Sequence, residues 1–197
     1  MKKGLFIVFE GIDGSGKSSC IDSVASALEE NFDVIKTAEP TKDAIGMLLR
    51  SSPDLLPVTE ALLFVADRAE HTGQIKKWID DRKIVLCDRY YASTLAYQSV
   101  KLDERRLDGR WLRSLNDRVT IEPDITFLFD IDPEISMERI GSRDTMSKFE
   151  RLEYLKGVRK KYRSIARSMG FYVIDASKPR EAVFKEVVQR ILDEIEQ

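Results

Sequence analysis

The stretch Leu5-Phe6-Ile7-Val8-Phe9-Glu10-Gly11-Ile12-Asp13-Gly14-Ser15-Gly16-Lys17-Ser18 decides the fold. Its first five residues are a continuous apolar run, the composition of a strand buried on both faces. Residues 11–18 fit G-x-x-x-x-G-K-[ST], the phosphate-binding loop. Beyond the loop, residues 20–28 have the apolar spacing of a helix. Gly11, Gly14 and Gly16 let the backbone take left-handed angles and turn its N–H groups inward. The new helix adds its positive end. Lys17 brings a mobile charge to the outer phosphates, and the Ser18 hydroxyl can ligate Mg²⁺. A glycine turn can match this pattern by accident, in about one chain of this length in a hundred. Such an accident does not supply the strand before it and the helix after it. The loop therefore indicates a bound nucleoside triphosphate and its metal, without saying how the phosphate is used.

The 197 residues suffice for one α/β domain with a sizeable core. Hydrophobic residues make up 43% and charged residues 34%, as in a charge-rich globular protein. A net charge of −2 gives no global attraction to nucleic acid or to an anionic membrane. No apolar run approaches the length of a membrane span. The first strand is expected within four residues of the start, which leaves no room for a signal peptide. Cys20 and Cys87 have neither metal-binding nor redox spacing, so they read as core thiols in a reducing cytoplasm. A single histidine, His71, argues against a His-based triad or a zinc site.

No repeat or low-complexity tract interrupts an alternation of strand and helix patterns. Strands are expected at 5–9, 34–37, 84–87, 125–130 and 171–174. Helices are expected at 17–31, 44–50, 58–80, 93–100, 109–120, 133–140, 148–169 and 180–196. Pro133 and Pro179 sit where proline suits a helix start. Five apolar strands separated by helices imply a three-layer α/β fold with a five-stranded parallel sheet. Ligands on such sheets bind outside the C-terminal strand ends.

The segments after each strand are informative for that reason. After strand two, Pro40 biases Glu39 toward an extended conformation that aims its carboxylate along the cleft; a plain loop start is the alternative. After strand three, Asp88 is placed like the acidic residue that holds metal-bound water in such enzymes. Arg89 beside it can fork two phosphate oxygens; a surface Asp–Arg ion pair is the alternative. Ser93-Thr94-Leu95-Ala96-Tyr97-Gln98 suits a sugar and a base, or a plain amphipathic helix. Phe64 and Arg68, four residues apart, share a helix face. There Phe64 could stack on a base and Arg68 could bond its carbonyl edge, against the alternative of a core phenylalanine and a surface arginine. After strand four, Arg139 and Arg143 flank a glycine and could form a lid that excludes water, or a solvated charged stretch. After strand five, the small residues of Asp175-Ala176-Ser177 could admit a purine ring.

Together these segments resemble the thymidylate kinases of the nucleoside monophosphate kinase group over nearly the whole chain. The resemblance rests on Phe9 to Ser18, Glu39-Pro40, Leu63-Phe64 with Asp67-Arg68, Asp88-Arg89-Tyr90, and Ser93-Thr94 with Ala96-Tyr97-Gln98. It implies transfer of the ATP γ-phosphoryl group to dTMP, giving dTDP and ADP with Mg²⁺, in a single kinase domain spanning 1–197 with a short lid at about 139–150. By the same resemblance Lys17, Arg89, Asp88, Asp13 and Arg143 are catalytic, with Arg143 as the lid cation because the loop carries Gly14. ATP falls to Gly11, Ile12, Asp13, Gly14, Ser15, Gly16, Lys17, Ser18 and Ser19, with Arg139, Asp175 and Ser177 toward the adenine. dTMP falls to Asp13, Glu39, Pro40, Arg50, Phe64, Arg68, Arg89, Thr94, Tyr97 and Gln98. Ser18 and Asp88 take the metal, Asp88 through water. Tyr97 would crowd the sugar 2′ position. Ala38 departs from the arginine that many relatives carry before Glu-Pro. The family also implies a cytoplasmic homodimer with the 58–80 helix at its interface.

Three rival readings have discriminating features. A different small-molecule kinase would share the fold, and Arg68 and Tyr97 argue against it. A P-loop switch protein would carry an Asn-Lys-x-Asp guanine signature and an Asp-x-x-Gly switch, and neither is present. An inactive nucleotide-binding scaffold would not need Lys17, Asp88 and Arg89 all intact.

Overall fold

The computed structural model describes residues 4–52, 54–102, 109–140 and 148–196. Five strands, β1 (Leu5–Glu10), β2 (Val34–Ala38), β3 (Ile84–Asp88), β4 (Ile125–Asp130) and β5 (Tyr172–Asp175), form one parallel sheet in the order β2-β3-β1-β4-β5. The helices are α1 (Lys17–Leu28), α2 (Ala44–Ser51), α3 (Pro57–Asp80), α4 (Tyr91–Leu102), α5 (Gly109–Asn116), α6 (Pro133–Ile140), α7 (Lys148–Met169) and α8 (Arg180–Glu196). The expected α/β class and the five-stranded parallel sheet are both observed.

The central strand explains the apolar run that opens the chain. Phe6, Ile7, Val8 and Phe9 are all buried, so residues of both parities meet other side chains and both faces of the sheet are covered. α1 packs on α8, whereas α4 packs on α3, α5 and α7. β5 is an edge strand and leaves Tyr172 and Val173 exposed, with the Arg190 guanidinium 4.9 Å from the Tyr172 ring centre.

Strand and helix identities agree with the sequence pattern, and the differences lie at element ends. α1 stops at Leu28 rather than 31, because Asn31 and Phe32 donate backbone bonds to the Leu28 carbonyl and turn the chain toward β2. α4 begins at Tyr91 rather than 93. The Tyr90 and Ser93 amides both donate to Glu10 Oε1, at 2.9 and 3.1 Å, so a carboxylate from the sheet caps this helix. α5 ends at Asn116 rather than 120, where the Asn116 carbonyl accepts from Val119, Thr120 and the Thr120 hydroxyl.

Phe127 of β4 lies in the middle of the core, its ring 5.6 Å from Phe9 and 5.9 Å from Tyr172. Phe127→Ala is expected to destabilise the protein by about 3–5 kcal/mol through lost burial and the cavity left behind. Urea unfolding followed by circular dichroism measures it as a drop in midpoint with an unchanged slope.

Candidate active site

Every strand of a parallel sheet ends at the same edge, and four of the five here end on an acid: Glu10, Asp88, Asp130 and Asp175. Glu39 follows β2 at once. The phosphate loop leaves β1 between them. Gly11, Gly14 and Gly16 have φ of 144°, 73° and 88°, and α1 starts at Lys17. At Gly14 a Cβ would lie 2.6 Å from the Ser136 carbonyl oxygen of α6. The Ser136 hydroxyl donates to the Asp13 carbonyl at 2.5 Å, so α6 braces the loop from outside. Lys17 is folded back over its own loop, with Nζ 3.2 Å from the Ile12 carbonyl and 3.5 Å from Ser15 Oγ. Burial and the charge of Arg89 pull its pKa down to about 8, against the opposing pull of Asp88, Asp13 and Glu10.

Ser18 Oγ donates to Asp88 Oδ2 at 2.7 Å. The other carboxylate oxygen, Asp88 Oδ1, is buried with no hydrogen-bond partner, the one side-chain atom in that state among the described residues. Its strand-end counterparts are engaged: Glu10 by four donors, Asp130 by Arg159 and Asp175 by Ser177. A carboxylate oxygen with no partner, beside a hydroxyl and a cavity of about 490 Å³, fits a hard cation such as Mg²⁺. Among the described residues no group of three or more His, Cys, Asp or Glu side chains could hold a metal alone. A cation here therefore draws further ligands from bound phosphate or water.

Arg89 does not pair with its neighbour Asp88. Its backbone sits at φ 71°, and this left-handed turn sends the guanidinium across the cleft to Asp13 Oδ1 at 2.6 Å. Burial disfavours ionised Asp13, but the charges of Arg89 and Lys17 prevail and hold its pKa below the ordinary value. The guanidinium also donates to Ser93 Oγ at 3.2 Å and lies 5.1 Å from the Tyr97 ring centre.

A second cavity, of about 210 Å³, adjoins the first. Asp13, Glu39, Pro40, Phe64, Arg68, Arg89, Thr94, Tyr97 and Gln98 all line it. Phe64 is half-buried and Arg68 is buried, the reverse of a core phenylalanine with a surface arginine. Arg68 bonds Glu39 Oε2 through Nε at 2.8 Å, Asn116 Oδ1 at 2.6 Å and Thr94 Oγ1 at 3.0 Å. Glu39 is thus turned inward, held by Arg68 and by His71 Nδ1 at 3.0 Å, rather than along the cleft. Arg50 alone of the expected dTMP residues is absent from this cavity. It bonds the Pro40 and Thr41 carbonyls and lines the larger phosphate cavity.

Arg139 donates to the Gly14 and Ala176 carbonyls at 3.4 and 3.3 Å, joining the phosphate loop to the turn after β5. Asp175 and Ser177 line a separate cavity of about 280 Å³ with Arg159. Arg143 and most of the expected lid lie outside the described residues.

Several residues of the site carried no sequence signal. Asn116, His71 and Tyr162 reach it from distant segments, and nothing local marks them. Glu60 and Lys101 form an ion pair of 2.8 Å at the mouth of the smaller cavity. Glu10 had one available signal, a carboxylate directly following a run of fully apolar strand residues.

Residues 9–187 match the family model described as thymidylate kinase. The probable thymidylate kinases of Methanosarcina acetivorans and Methanosarcina barkeri are 43% and 44% identical to this chain, each comparison covering 97% of both chains. The thymidylate kinase of Desulfovibrio desulfuricans is 38% identical over 91% of both. The chain belongs to the thymidylate kinase family, the enzymes that phosphorylate dTMP to dTDP.

Proposed function

We propose that this chain transfers the γ-phosphoryl group from ATP on loop 11–18 to dTMP in the smaller cavity, with Arg89 and Asp13 at the crossing point. The observation that carries this reading is that these two residues line both cavities. Of the residues that line both, Asp13, Glu39, Pro40 and Arg89, only Arg89 is a cation, and a cation that touches both chambers can hold both phosphates at once, which is the entropic part of such a reaction. Phosphoryl transfer needs little covalent help from the protein. The acceptor phosphate is already largely ionised near neutral pH, with a second pKa of about 6. The cationic groups then do most of the work. Lys17 swings from the Ile12 carbonyl to the outer phosphates, and Arg89 exchanges Asp13 for a phosphoryl oxygen. Ser18 and Asp88 would hold Mg²⁺, which would supply charge neutralisation for the transferring oxygens.

Phe64 stacks on the thymine, and the Arg68–Thr94 pair meets its polar edge. Tyr97 lies beside the sugar. Gln98, Glu39 and Pro40 complete the pocket. Asp175, Ser177 and Arg139 border the adenine, and Arg50 approaches the acceptor phosphate from the larger cavity. The segment from Arg139 to about residue 150 is proposed as the lid of a single domain, with Arg143 as its cation. Exposed Met47, Leu48, Leu56 and Leu62 on and beside α2 and α3 support a homodimer through that face. Among the described residues no helix is long and apolar enough to cross a membrane. The two buried free thiols suit a cytoplasmic setting.

Lys17→Ala and Arg89→Ala are each expected to lower kcat by about a hundredfold or more, the scale of losing one transition-state donor. Circular dichroism should show the fold intact; near-normal turnover in either variant removes that residue from the mechanism. In an ATP-consumption assay across nucleoside monophosphates, dTMP should be preferred over dCMP and AMP. Lys17 supplies a linkage test. Triphosphate beside it favours the ammonium form, so the bound state holds more protons than the free state above a pH of about 8. ATP binding at pH of about 9 should take up close to one proton, and affinity should fall as pH rises further. Calorimetry in buffers of different ionisation enthalpy reads the uptake, and Lys17→Met should abolish it.

A further inference from the structure

Glu10 has no part in the chemistry described so far, yet it lies fully buried directly behind the cation at the crossing point. Its Oε1 accepts the Tyr90 and Ser93 amides. Its Oε2 accepts Ser93 Oγ at 2.6 Å and the Tyr162 hydroxyl at 2.9 Å. The same two hydroxyls accept from Arg89 Nη1, at 3.2 and 3.4 Å. The carboxylate thus fixes which way both hydroxyls point. The two hydroxyls also lie 2.7 Å from each other, so their two protons are taken up by Glu10 Oε2 and by the bond between them, and lone pairs are left to face Arg89.

We infer that Glu10 is a positioning residue that, through Ser93 and Tyr162, holds the Arg89 guanidinium at the border of the two cavities. This rests on the role proposed for Arg89. The alternative is that Glu10 merely caps α4, and the chemistry of an amide separates the two. In Glu10→Gln the carbonyl oxygen must stay on the two backbone amides. Its NH₂ group then faces Ser93 and Tyr162, which can only accept from it. One hydroxyl can still donate to the other across 2.7 Å, but the second has lost its acceptor, and its proton is turned toward the donors of Arg89. The cap survives the substitution, and the seat of the guanidinium does not.

The test is a double-mutant cycle on the whole chain, comparing the parent, Glu10→Gln, Arg89→Ala and the double variant by steady-state kinetics and thermal melting. Glu10→Gln should lower kcat about tenfold while KM for ATP stays within about twofold. In the Arg89→Ala background it should change kcat by less than about twofold, because nothing remains to position. Unchanged kcat in Glu10→Gln, or the same loss in both backgrounds, would overturn the inference. Near-normal turnover in Arg89→Ala would remove the role of Arg89 and this inference with it, whereas a defective Arg89→Ala beside a normal Glu10→Gln sinks only the latter. If Glu10→Gln does not fold, Tyr162→Phe replaces it. Removing that hydroxyl should lower kcat about threefold with Arg89 present and have no effect without it; equal effects in both backgrounds would again overturn the proposal.

Discussion

A parallel sheet gathers all its C-terminal strand ends on one edge, and here that edge is a row of carboxylates. Such a row cannot persist unless each charge is answered, and the answers organise the molecule. Glu10 takes two amides and two hydroxyls, Glu39 takes Arg68 and His71, and Asp130 takes Arg159. These attachments draw α4, α3 and α7 onto the rim, and with them the side chains that line the smaller cavity. Asp88 is the exception, half satisfied by Ser18 and open on its other oxygen. The position left open is bonded to the last residue of the phosphate loop, Ser18, and keeps one anionic oxygen free of protein partners.

The fold was legible because its three central strands, β1, β3 and β4, are buried on both faces. Residues 5–9 and 84–87 are apolar throughout, 125–129 are apolar but for Thr126, and no alternation blurs them. The phosphate loop was legible because glycine alone fits its backbone angles and its contact with Ser136. The smaller cavity was legible only as short motifs. Phe64 and Arg68 announced a shared face, but which of the two is buried depends on Asn116 and Thr94, 48 and 26 residues from Arg68. Element ends were misjudged where a distant group intervenes, as Glu10 does at the start of α4. Propensity and periodicity are local quantities, and a cap supplied from another strand is invisible to them.

The two principal cations of the site rest differently. Lys17 lies in its own loop, weakly held by a carbonyl and a hydroxyl, and burial has already lowered its hold on a proton. It is poised to move. Arg89 is gripped on several sides: Asp13 in front, Tyr97 beneath, Ser93 and Tyr162 behind. Its left-handed backbone stores about 1–2 kcal/mol of strain, the cost of sending its side chain away from its neighbour Asp88. One cation is mobile and the other preorganised, a division suited to receiving a triphosphate that arrives and an acceptor that must be aligned.

The bond from Tyr162 to Glu10 joins residues 152 apart in the chain. A ribosome delivers the phosphate loop first and this tyrosine among the last elements. Until then Arg89 lacks a complete seat, and α8, which packs on the helix that follows the phosphate loop, emerges later still. Both cations of the site are therefore seated late, the arginine once α7 has cleared the exit tunnel and the lysine of the phosphate loop once α8 backs its helix.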